Sequence, residues 1–190
     1  MRKTQFVPDH LYHIYNRGVN REPIFYSRAN KLFFLKRLRK YFITDKTASI
    51  IAYCLMDNHF HLLIQTHIEQ FGQKVMQPFS VSYTKAVNKE QERVGPLFQG
   101  PFKAQLVDND AYVIWLSRYI HLNPVTAQLV DHPAKWEFSS YSDYVGLRDG
   151  KLPQKRVVLE LFDSPEQYEA FVTGEDTDSG FTFPDTFLFD

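Results

Sequence analysis

The first run of β-forming residues, Leu11-Tyr12-His13-Ile14-Tyr15-Asn16, ends at Arg17-Gly18 and predicts a strand. Ala29 to Phe42 follows, with apolar residues at Leu32, Phe33, Leu35, Leu38 and Phe42 and bases Lys31, Lys36, Arg37, Arg39 and Lys40 between them. That periodicity predicts an amphipathic helix. Ser49 to Met56 is a short apolar strand, Asp57-Asn58 supplies turn chemistry, and His59 to Thr66 returns as a second strand of a hairpin. Gln70 to Arg93 reads as mainly helical, with Pro78 starting, kinking or breaking it and Gly95-Pro96 ending it. Phe102 to Val107 is a fourth strand. Asp108-Asn109-Asp110 then caps a helix that runs through Tyr112, Val113, Leu116 and Tyr119 to Leu122.

The first six elements have the βαββαβ order of a ferredoxin-like split unit, so the expected class is α+β: an antiparallel sheet with helices on one face, plus a C-terminal helix and tail. That architecture serves RNA-recognition modules and small-molecule enzymes alike, so function must come from particular residues.

The net charge is zero, 22 bases against 22 acids, yet the charges are segregated. Residues 157 to 190 carry nine acids and no Lys or Arg, which leaves residues 1 to 156 with 22 bases against 13 acids, a net of +9. A basic body of this kind suits a polyanion partner; a solvated surface with a solubilising tail has the same composition. The expected organisation is one domain over 1–156 (core about 10–145) and an acidic extension over 157–190, with 174–190 the segment expected to be disordered. No run approaches the ~18 apolar residues of a membrane span, and Met1-Arg2-Lys3-Thr4-Gln5 leads into no apolar signal core, so a cytoplasmic, membrane-free protein is expected. The single cysteine, Cys54, lies in an apolar run and reads as core, which excludes a disulfide or cysteine-rich zinc framework.

Two constellations carry chemistry. In His59-Phe60-His61 the two-residue strand period turns both imidazoles to one face and Phe60 to the other, where the pair can share a cation or serve as ordinary strand residues. In Arg118-Tyr119-Ile120-His121-Leu122-Asn123-Pro124, Tyr119 and Asn123 are one helical turn apart. A tyrosine within reach of a metal-bound phosphate can attack it, and an amide oxygen can join the same ion. The residue before a proline disfavours helical geometry, so Pro124 works against a helical position for Asn123.

Taken together, several stretches resemble the single-tyrosine HUH transposases, in particular the REP-associated tyrosine transposases. They are Tyr12-His13-Ile14-Tyr15-Asn16-Arg17-Gly18, Ala52 through Leu63, Pro96-Leu97-Phe98-Gln99-Gly100-Pro101-Phe102-Lys103, Tyr119-Ile120-His121-Leu122-Asn123-Pro124 and Trp136-Glu137-Phe138-Ser139-Ser140-Tyr141. The resemblance implies His59, His61 and Asn123 as metal ligands, with His121 the substitute for Asn123, Tyr119 as nucleophile, and Mg²⁺ or Mn²⁺ as cofactor. The implied reaction is a transesterification that cleaves and rejoins single-stranded or hairpin DNA through a 5′-phosphotyrosine, in a monomer or homodimer. Arg17, Arg21, Lys103 and Arg118 are the candidate DNA contacts. Two other readings share these features: a rolling-circle initiator or relaxase, for whose accessory domains 190 residues leave little room, and a domesticated DNA-hairpin-binding protein without transposition activity. An RNA-recognition module would need aromatic residues where the His pair stands.

Overall fold

The computed structural model describes residues 4–174. β1 (Leu11–Arg17), β2 (Ala48–Leu55), β3 (His59–Thr66) and β4 (Lys103–Val107) form one antiparallel sheet in the order β2-β3-β1-β4. With α1 (Arg28–Leu38) after β1 and α2 (Gln77–Glu90) after β3, this is the split unit that the element order predicts.

Alternation along the strands separates two cores. Tyr12 and Ile14 on β1 and Phe60, Leu62 and Ile64 on β3 face α1 and α2, packing on Phe34, Leu38, Phe79 and Tyr83. On the opposite face, Leu63, Ala52, Cys54 and Met56 meet α3 (Asp110–Thr126) through Val113, Leu116 and Ile120. Cys54 is fully buried there, and burial pushes its thiol pKa far up, so it is packing, as its apolar run indicates.

Ser27 caps α1, its side chain accepting from the Asn30 N–H, and a π-helical turn, Arg39–Thr44, extends the helix. The face that α1 buries differs from the periodicity reading: Phe34 is fully buried, Lys31 is 8% exposed, and Leu32 is 43% exposed. The reason is tertiary, because Lys31 Nζ reaches Asp57 at 2.7 Å and lies 4.5 Å from the centre of the Trp136 ring. Pro78 sits in the first turn of α2, which follows directly on a π-helical turn, Gly72–Met76.

The edge of β2 is covered, which prevents intermolecular pairing. Leu55 N–H donates to the Phe138 carbonyl at 2.9 Å, Ser140 N–H to the Tyr53 carbonyl at 2.9 Å, and Gln154 N–H to the Ile50 carbonyl at 2.7 Å. Three short helices finish the described chain: α4 (Tyr141–Tyr144), α5 (Arg156–Leu159) and α6 (Pro165–Thr173), which ends at Gly174 with φ 85°. α5 spans the boundary that charge alone places after residue 156, and Val158, Tyr168, Phe171 and Val172 are buried against α3. The described part of the acidic segment is therefore packed into the body, because its apolar residues complete the α3 core. The expectation of disorder over 174–190 falls, apart from Gly174, outside the described residues.

Candidate active site

The site forms where β1, β3 and the end of α3 meet. His59 and His61 share the α3 face of β3, as the strand period requires, while Phe60 packs in the other core. α3 is started by Asn109, whose side chain accepts from the Tyr112 N–H at 2.8 Å, and it stays helical through Pro124 to Thr126. Asn123 does not turn away at the proline: its Oδ1 lies 2.9 Å from His59 Nε2. Tyr119, one turn earlier, sets its half-buried ring edge-on to His61, centroids 5.2 Å apart at 85°. Tyr119, His59, His61 and Asn123 thus converge.

Contacts behind the histidines orient them. Asn58 Nδ2 donates to the Arg21 carbonyl at 3.1 Å, which points its Oδ1 at His59 Nδ1, 2.6 Å away. A neutral imidazole carries one N–H, and the Asn58 contact uses it. His59 Nε2 then faces the Asn123 amide, which can donate to it through Nδ2 or, oriented with Oδ1 toward the ring, share a cation with it. Burial lowers the His59 pKa, partly offset by Asn123 and assisted by the Arg17 charge, so the protonated ring is disfavoured. An imidazole nitrogen and an amide oxygen side by side, 2.9 Å apart, are ligand types that a divalent cation takes. On this observation the residues fit a hard divalent cation.

His61 is held by a residue of the first motif, His13, for which the sequence indicates no role. His13, fully buried on β1, places Nε2 2.9 Å from His61 Nδ1, the rings stacked with centroids 5.2 Å apart. Burial depresses both imidazoles, His13 to about 3 and His61 well below its ordinary value, so both are neutral at pH 7. With the shared proton on His61 Nδ1, His61 Nε2 presents its lone pair. The alternation in Tyr12-His13-Ile14-Tyr15 was a signal that His13 and Tyr15 share a face; the register that pairs Tyr15 with His61 was not available from one sequence.

His121 is no substitute ligand. It is fully buried on another face of α3, Nδ1 2.7 Å from the Tyr168 hydroxyl and Nε2 2.7 Å from Ser140 Oγ. Two residues along a helix turn a side chain roughly 200° away from Tyr119, and both of its nitrogens are engaged. Among the described residues no cluster of three or more His, Cys, Asp or Glu could hold a metal.

The candidate DNA contacts divide. Arg17 is half-buried near His59, its Nε donating to Gln99 Oε1 at 3.3 Å. Lys103 is exposed with Nζ 5.6 Å from the centre of the Tyr15 ring, and Arg21 is exposed on the turn whose carbonyl holds Asn58. Arg118 points elsewhere: its Nε donates to the Phe171 carbonyl at 2.8 Å, and its guanidinium lies over the Trp115 and Phe171 rings. It is a tie between α3 and α6, drawn there by aromatic faces and an unsatisfied helix carbonyl.

A ferredoxin-like sheet that presents a paired-histidine strand to a tyrosine-bearing helix defines the class: a single-tyrosine HUH protein. The family model described as "Transposase IS200 like" matches residues 6–123, most of the chain, and the chain belongs to that family. Among solved structures, its fold is similar to that of a REP-associated tyrosine transposase bound to a REP hairpin, at 16% identity and a TM-score of 0.60, over 77% of this chain and 85% of that one. Weaker likeness (TM-score 0.38, 12% identity, 91% of this chain and 76% of the other) extends to the tRNA(His) guanylyltransferase of Saccharomyces cerevisiae. No curated protein matches the chain. Among the described residues no helix is long and apolar enough to cross a membrane.

Proposed function

We propose that this transposase-family protein cleaves and rejoins single-stranded DNA, next to a hairpin or repeat, by attack of Tyr119 on a phosphodiester. The observation that carries the reading is the convergence of Tyr119, His61, His59 and Asn123, with His59 Nε2 2.9 Å from the Asn123 amide oxygen. His59, His61 and Asn123 would hold Mg²⁺ or Mn²⁺, which when bound supplies charge withdrawal from the phosphate. The Tyr119 oxygen forms a bond to phosphorus as the bond to the 3′ oxygen breaks; the strand upstream leaves with a free 3′-hydroxyl, and the downstream 5′-phosphate stays on Tyr119. A 3′-hydroxyl attacking that phosphotyrosine reverses the step and joins strands without ATP. Asn58 and His13 fix the ring orientations before substrate arrives, which spares that reorganisation during the reaction. Arg17 and Lys103, beside the site, are placed to meet phosphates.

Labelled single-stranded hairpin oligonucleotides from the flanks of the gene, incubated with Mn²⁺ or with chelator, test this. The expected result is a denaturation-resistant adduct that needs the metal and is absent in Tyr119→Phe. Tight hairpin binding without an adduct for any flank would replace this reading with that of a hairpin-binding protein.

A further inference from the structure

Helix α1 and its π-helical extension carry more positive charge than the candidate active site uses. Residues 28 to 46 hold seven bases and one acid. Arg28 pairs with Glu137 and Lys31 with Asp57, whereas none of the ion pairs among the described residues involves Lys36 or Arg39. Both are exposed, and both line a groove between α1 and the loop 148–153, at the covered edge of β2. Lys151, also exposed and outside those ion pairs, lines the far wall, and the floor includes Tyr53 and Leu152.

The far wall is rigid. Asp143, 1% exposed, accepts from Arg148 Nε at 2.9 Å and from the Gly150 N–H at 2.8 Å, while Lys155 Nζ donates to its carbonyl at 2.7 Å. A Cβ on Gly150 would come 2.4 Å from the Asp143 carboxylate, so the loop can lie this close only with glycine there. Arg148 is consumed in neutralising Asp143, and its guanidinium also donates to the carbonyls of Glu137 and Ser139. Three charges remain facing one groove, two on a helix and one on a pinned loop. A merely solubilising surface does not require that framework. α1 packs in the core opposite the one that holds Tyr119, so this groove is separate from the candidate active site.

We infer that the groove between α1 and the loop 148–153 is a second nucleic-acid site, in which Lys36, Arg39 and Lys151 hold phosphates of the backbone while the scissile strand lies at Tyr119. This rests on the DNA-processing reading above. Contacts of this kind set position and affinity without reading sequence.

The test uses the full chain, Lys36→Gln/Arg39→Gln/Lys151→Gln, and a control that loses the same charge from α2 and the turn before it, Lys74→Gln/Lys85→Gln/Lys89→Gln. Anisotropy of a labelled hairpin with a single-stranded flank, and of an unstructured strand of equal length, is followed from low to high KCl, with melting temperatures checking the fold. Each lost phosphate contact removes about 0.9 from the slope of log affinity against log salt on duplex and about 0.7 on a single strand. The groove variant should lose roughly two in slope and bind roughly a hundredfold more weakly at ~0.1 M salt, with the control close to wild type. A loss confined to the hairpin assigns the groove to the stem, and an equal loss on both assigns it to the flanking strand. Equal weakening by both variants, or a groove variant that keeps the wild-type slope, overturns the inference while leaving the Tyr119 adduct intact. If the wild type bound neither oligonucleotide, both readings would fall.

Discussion

Replacing His13 by Phe would test how the site holds His61. Phenylalanine keeps a planar ring beside Tyr15 and His61, which His13 now stacks against at centroid distances of 4.8 and 5.2 Å, but removes the nitrogen 2.9 Å from His61 Nδ1. His61 is 3% exposed, so an Nδ1–H left without an acceptor costs about 1–3 kcal/mol. The ring escapes that cost by rotating or by moving its proton to Nε2, and either change removes the lone pair a cation needs. Loss of such an outer contact weakens metal binding by about 10- to 100-fold, or roughly 1.4–2.7 kcal/mol. Calorimetric Mn²⁺ titration of the full chain would measure it, with His13→Gln, whose amide oxygen can accept, restoring part of the affinity. Nitrogen-detected NMR of the metal-free protein should show His61 protonated at Nδ1 in the wild type and not in His13→Phe. Mn²⁺ affinity unchanged in His13→Phe, or a wild-type His61 protonated at Nε2, would refute the reasoning.

Asn123→Ala removes the amide beside His59 Nε2, so it should reduce Mn²⁺ affinity and adduct yield about tenfold or more. His121 is neutral in the fold, its pKa lowered to about 3 by burial, whereas the unfolded chain takes up the proton near 6.5. Stability should therefore be level above pH 6.5 and fall as pH drops toward 3, with His121 alone contributing about 2.7 kcal/mol of the loss at pH 4.5; urea titrations of His121→Gln should show a shallower pH slope by about 1.4 kcal/mol per unit. Gly18→Ala places a Cβ 2.0 Å from the Glu22 carbonyl oxygen, a backbone atom that cannot swing aside. The cost should be about 1–3 kcal/mol in urea unfolding, with Mn²⁺ affinity reduced as well, because the 18–22 turn carries the Arg21 carbonyl that orients Asn58.

The elements that local physics determines were legible in the chain. β1, β2, β3 and β4 begin and end within a residue or two of the alternating runs, since side-chain period and turn residues act over a few positions. His59 and His61 share a face for the same reason, and Asn109 starts α3 because its side chain satisfies a helix donor nearby in sequence. Contacts distant in sequence were not legible. Lys31 is buried in place of Leu32 because Asp57 and Trp136 approach α1, and Arg118 turns to α6 because the Phe171 carbonyl waits there.

The candidate site shows the same division. Sequence by itself determined which residues could do the chemistry, that His59 and His61 share a strand face, and that Tyr119 and Asn123 stand four positions apart, because those relations are local. The structure alone decided that the pairs meet, that Asn123 stays helical before Pro124, that His121 is sealed between Tyr168 and Ser140, and that His13 stands behind His61. Those outcomes depend on strand register and on how α3 docks across the sheet, which are set by the burial of two whole cores rather than by any short stretch of chain.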